Sequence, residues 1–110
     1  MAKAVISQEI QQQVSELIDA FNQKIFKGSA DFMYIPKFKG NFLYLNRKEF
    51  ELISPVVRLK YSGDINKWDF AIFKWSSESY DPNERFFPGS EYINGTVEGA
   101  MKAGLAAYPV

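Results

Sequence analysis

The apolar residues of this chain change their period at Gly28, and that change limits the fold more than any other feature. Before it, Ile10, Val14, Leu17, Ile18, Phe21 and Ile25 recur at helical spacing, so Ser7 to Lys27 is expected to form an amphipathic helix with one apolar stripe. Ser7 offers a capping hydroxyl, Glu9 an acid for the positive helix end, and Lys24, Lys27 and Gly28 suit the other end. The opposite side of this helix, from Gln11 and Gln12 to Asn22 and Gln23, is polar without a dense run of cations and reads as solvated.

After Gly28 the period falls to near two, and four strands are expected between turn signals. The first runs about 32–38, where Pro36 removes a ladder donor and argues for an edge or a bulge. Lys39-Gly40-Asn41 turns the chain into a second strand near 42–45, which Phe50 to Ile53 could continue past a bulge. The third, 56–61, alternates in the manner of a half-buried antiparallel strand, and Ser62-Gly63-Asp64 reverses it. The fourth, 68–75, is apolar on both faces, which suggests a central strand or one with a second layer over it.

Residues 76–94 contain Pro82, Pro88 and Gly89, show no period, and are expected to be a long loop. Phe86, Phe87, Tyr92 and Ile93 are too apolar for a freely solvated linker, so the loop is expected to fold back onto the sheet. Thr96 is a good helix cap, and a second helix is expected from there to about Tyr108, before Pro109. Its small residues, among them Gly99, Ala103 and Gly104, imply close backbone approach to the sheet or to the first helix, because each interior glycine costs about 1 kcal/mol relative to alanine. The expected fold is one α+β domain over 1–110: an N-terminal helix, a four-stranded antiparallel meander, a long loop, and a C-terminal helix packed on the sheet. A chain of 110 residues can bury enough surface to need no disulfide or metal.

Composition removes much familiar chemistry. With no cysteine and no histidine, thiol nucleophiles, serine-histidine triads and zinc or copper sites built on sulfur or imidazole are excluded within the chain. The carboxylates Glu78, Asp81, Glu84 and Glu91 do not match a calcium loop, since that pattern begun at Asp81 wants a glycine and an acid where Phe86 and Tyr92 stand. No catalytic residue, metal site or cofactor is therefore expected, and an enzyme would have to work through groups such as Glu84 and Tyr92. Asn94-Gly95-Thr96 fits a glycosylation acceptor but reads as a turn and helix cap. No apolar signal core or membrane-length run is seen, so a cytoplasmic location without membrane contact is expected.

The formal net charge is zero, with 13 basic and 13 acidic residues, but the charges are uneven along the chain. Lys37, Lys39, Arg47, Lys48, Arg58 and Lys60 dominate 37–60, whereas acids dominate 61–98. Aromatic residues make up 16% of the chain, more ring area than two helices are expected to cover. The leading expectation is a non-enzymatic binding or assembly module. It would meet a protein partner or a second copy through an aromatic sheet face and the 76–94 loop, with Tyr34, Tyr44, Phe73, Trp75, Phe86, Phe87 and Tyr92 as contact residues.

The alternative is a nucleic-acid-binding module on the basic hairpin 37–60, using Lys37, Lys39, Arg47 and Lys48 among the interleaved rings. The stretch 39–44 only superficially looks like the aromatic motif of RNA-recognition domains, lacking an aromatic at Asn41. The helix-sheet-helix order is similar to that of double-stranded-RNA-binding domains, yet Glu98 stands where those carry a cation cluster.

Overall fold

A computed structural model describes residues 5–84 and 86–109. Helix α1 spans Gln8–Phe26 and is capped as its sequence suggests: the Ser7 hydroxyl accepts from the Ile10 amide, and Lys27 turns left-handed at φ 55° to end it. Its buried stripe is Val14, Ile18, Phe21 and Phe26. Leu17 and Ile25 flank that stripe and stay exposed.

Five strands follow, not four: β1 Phe32–Lys39, β2 Phe42–Glu49, β3 Leu52–Tyr61, β4 Trp68–Lys74 and β5 Ser79–Asp81, all antiparallel and in chain order across one sheet. The fifth lies inside the expected 76–94 loop, since three residues are too few to show a period. Tyr80 alone carries its apolar signal.

The second strand is longer than its apolar core, since Asn46 to Glu49 continue the ladder with β1. Phe50 does not extend it. It begins a two-residue turn at φ +57°, its amide donating to the Asp31 carbonyl and its ring lying edge-on to Phe32 at 5.0 Å. A bulge in β3 inserts Val56 between Pro55 and Val57, where the register shifts opposite Leu45 and Asn46. The β3–β4 ladder begins only at Val57, so Pro55 sits where its missing N–H has no strand to serve.

Pro36 lies on the edge strand β1, as expected. A second device protects that edge: the Asn22 side chain donates to the Tyr34 carbonyl at 3.1 Å and accepts from the Tyr34 amide at 2.9 Å. A strand that tried to pair there would find both groups taken.

Helix α2, Val97–Ala107, is capped by Thr96, whose hydroxyl accepts from Gly99 N–H. Both helices lie on one face of the sheet, over Tyr34, Leu43, Leu45, Val57, Leu59, Phe70 and Ile72. The small residues of α2 allow this contact. A methyl added at Gly104 would stand 2.8 Å from both the Tyr34 hydroxyl and Val56 Cγ1, so only a bare backbone fits.

The segment after β5 does not fold onto the open side of the sheet. Phe87 stacks on Phe70 at 6.0 Å, and Gly89, at φ +100°, lies against Ala103 and Ala106 of α2. It seals the helical layer instead, because Phe70 is the apolar surface left beyond the end of α2. A 3-10 turn at Ser90–Tyr92 then leads into Thr96. Among the described residues, no helix is long and apolar enough to cross a membrane.

Candidate functional site

Among the described residues, no helix or strand forms a second layer on the sheet face away from the helices, and strand register fixes what that face displays. Lys39 pairs with Phe42, Phe42 with Lys60, and Lys60 with Asp69, which makes one row across four strands. The next row is Lys37, Tyr44, Arg58 and Ala71. Beyond it stand Ile35 and Asn46, and at the far edge Phe73 opposite Tyr80. Cations of β1 and β3 therefore flank the rings of β2.

Packing ties these side chains together. The Arg58 guanidinium lies 4.8 Å from the centre of the Phe42 ring and 5.3 Å from that of Tyr80. A cation over two ring faces is held in place while its edge remains free to donate. Tyr80 reaches Tyr44 at 5.7 Å and Phe73 at 5.1 Å, and Phe73 meets Trp75 edge-on at 5.0 Å. Ala71 lies between the Arg58 and Tyr80 strands, and its small side chain leaves room for both to lean inward. Burial pushes the Tyr80 phenol above its usual pKa and Tyr44 adds to this, while Arg58 opposes it, so Tyr80 stays a neutral donor at physiological pH.

The face is electrostatically one-sided. Lys37, Lys39, Arg58 and Lys60 project from it with Asp69 as the carboxylate among them. Lys48 also lies on this side, but its ammonium is tied to the Ala30 carbonyl at the sheet's end. The acids that balance the chain lie elsewhere: Glu9, Glu16 and Asp19 on α1, Glu91 before α2 and Glu98 on it.

Not every residue singled out from sequence belongs here. Tyr44, Phe73 and half-exposed Trp75 are brought together with Lys37 and Lys39. Tyr34 and Arg47 are each 1% exposed and face the helices, so neither is open to a partner. The two-residue turn at Gly40-Asn41 explains it: with Lys37 opposite Tyr44 and Tyr34 opposite Arg47, the two tyrosines point to opposite sides. Arg47 instead secures the end of α2, donating to the carbonyls of Tyr108 at 2.6 Å and Gly104 at 3.2 Å and to the Tyr34 hydroxyl at 3.2 Å. Tyr34 donates onward to the Met101 carbonyl at 2.7 Å.

The loop rings scatter. Phe87 packs on the helical side with Phe70, Phe86 is 98% exposed, and Tyr92 borders a groove of about 390 Å³ between α1 and α2, with Phe21, Ile25, Lys102, Leu105 and Ala106. They do not join the sheet face into one patch. Glu84 is engaged by Lys74 at 3.1 Å and by the Phe86 amide at 2.7 Å; that amide and then Lys74 hold its carboxyl below the usual range. Among the described residues, no group of three or more His, Cys, Asp or Glu converges on a point where a metal would sit.

Arg58, Lys60 and Tyr80 are the residues of this face that sequence reasoning left out of its site. Arg58 and Lys60 alternate with the core residues Val57, Leu59 and Tyr61, so a parity argument run from the covered face assigns them to the open one. For Tyr80 no such signal exists, because its strand was not visible. No protein-family model matches this chain, and neither the curated proteins nor the solved structures contain a significant match to it.

Proposed function

We propose that this chain is a binding module for single-stranded nucleic acid, with the strand laid across the open face of the sheet. One observation carries the reading: Arg58 is clamped over Phe42 and Tyr80 amid Lys37, Lys39 and Lys60, so rings and cations share one open face of the sheet. Rings offer bases a stacking surface whatever their sequence, and cations gain by releasing the counterions of phosphates. Stacking on rings favours single strands. A duplex keeps its base faces stacked inside, whereas an open strand can splay them onto the rings.

The same charges argue against the leading sequence expectation, a protein partner or second copy on this face. A two-fold dimer through it sets like cations against one another, and the centres of protein interfaces are poor in lysine. Phe87 and Tyr92, lying on the helical side, cannot extend that contact.

Fluorescence anisotropy with labelled twelve-residue oligo-dT and oligo-U tests the proposal, the two probes separating DNA from RNA. If three or four phosphates are neutralised, affinity should fall roughly 20- to 50-fold between 50 and 200 mM salt. The double variant Arg58→Glu, Lys60→Glu should weaken binding more than tenfold while its thermal unfolding stays close to that of the parent. Absence of binding at low salt, or binding indifferent to the charge reversal, overturns the reading. Concentration-dependent dimerisation that Trp75→Glu abolishes would favour the protein-contact alternative.

A further inference from the structure

One carboxylate does not fit a surface built for phosphates. Asp69 stands at the end of the row Lys39, Phe42, Lys60, where it repels the ligand the rest of the row attracts. Nor does it neutralise a neighbour: it is exposed, and among the described residues it makes no ion pair within 4.0 Å, although Lys60 is its direct cross-strand partner. Its carboxylate oxygens are open to solvent and to the donors of a ligand.

The space beside it has the dimensions for one. Asp69 and Lys60 border a cavity of about 410 Å³ on the open face, together with Phe42, Arg58, Ala71 and Pro82. Ala71, 2% exposed and in mid-sheet, forms its base. Phe42 and Arg58 stand to one side, and Pro82, just past β5, to the other. Apolar walls with a donor and an acceptor set at one rim suit a planar heterocycle whose edge carries both kinds of group.

We propose that this cavity receives a guanine base, with the Asp69 carboxylate accepting from its N1–H and 2-amino group while the Lys60 ammonium donates to O6. The inference rests on the reading of this face as a nucleic-acid platform and gives it a base preference. Guanine is the base that places two adjacent donors on one edge, the arrangement a bidentate carboxylate matches, with an acceptor beside them for a cation. Uracil offers the same carboxylate one N3–H flanked by two carbonyl oxygens that repel it, and adenine and cytosine offer it one amino group. The base could arrive in a strand or as a free nucleotide.

The test uses ten-residue U-rich RNAs carrying one central G, A, C, U or inosine, a single G so that no quadruplex forms. G should bind about tenfold tighter than U, with inosine, which lacks the 2-amino group, in between. Asp69→Asn should remove the preference while leaving affinity for the all-U strand unchanged or higher, since it deletes a repulsive charge. Competition with millimolar GMP against UMP separates the sources: displacement by GMP alone points to a free nucleotide, and no displacement to a base presented by a strand. If the RNAs bind without base preference, or prefer G equally in the Asp69→Asn protein, the guanine site is refuted and the platform stands. If neither the RNAs nor GMP bind, both fall.

Discussion

Replacing Arg47 by methionine should cost this fold about 3 kcal/mol, although methionine keeps most of the volume and removes a buried charge. The arginine is 1% exposed and holds two carbonyls of the last turn of α2, those of Gly104 and Tyr108, where the helix concentrates unsatisfied acceptors and negative potential. The Tyr108 carbonyl loses this donor outright, while that of Gly104 keeps the Tyr108 amide at 2.9 Å and loses a second, charge-assisted bond; each loss costs roughly 1–3 kcal/mol.

Two effects run the other way. Methionine needs no desolvation of a guanidinium, and it removes the Arg47 Nε, which is buried without a hydrogen-bond partner. Glu49, 3.5 Å away and about half exposed, recovers its hydration and changes the sum little. The lost charge-assisted bonds less these gains leave a net of about 3 kcal/mol. For a chain of this size that corresponds to a midpoint lowered by roughly 12 °C. Urea unfolding followed by the fluorescence of Trp68, which is buried, and by circular dichroism would measure it. A loss below about 1 kcal/mol would refute the argument that Arg47 is the clasp between sheet and α2.

Two further outcomes follow from the same contact. Gly104→Ala, which brings a methyl to 2.8 Å from Tyr34 Oη and Val56 Cγ1, should destabilise by about 1–3 kcal/mol despite its better helix propensity, as chemical denaturation would show. Burial pushes the Tyr34 phenol from 10.0 to about 12, with Arg47 opposing, so folding favours its neutral form. Its contribution is complete below pH 10 and is lost as pH rises toward 12, by up to about 2–3 kcal/mol. Tyr34→Phe should flatten that alkaline decline in stability.

The helices were legible in the sequence because their signals are local. Ser7 and Thr96 cap within three residues of themselves, and Gly104 of α2 announces a close approach that Tyr34 and Val56 supply. The phase of the strands was not, because Tyr34 and Tyr44 look alike until a turn of known length relates them. A two-residue loop at Gly40-Asn41 decides that one faces Met101 and the other Tyr80. Arg47 misled for a related reason: it occupies a core position after Leu43 and Leu45, and only the carbonyls of a helix sixty residues on make a buried arginine tolerable there. β5 was invisible at three residues, and with it Tyr80, one of the two rings that hold Arg58. The candidate platform was thus half readable: Lys37, Lys39 and the rings of the second and fourth strands, but not Arg58, Lys60 or the ring that completes it.

Titration of the isotope-labelled protein with oligo-U, followed by backbone amide chemical shifts, tests the platform most directly. The expected shifts cluster on Lys39, Phe42, Tyr44, Arg58, Lys60 and Ala71, with α1 and α2 silent. Shifts confined to the groove of Ile25, Tyr92 and Leu105, or none at protein saturation, would contradict the account.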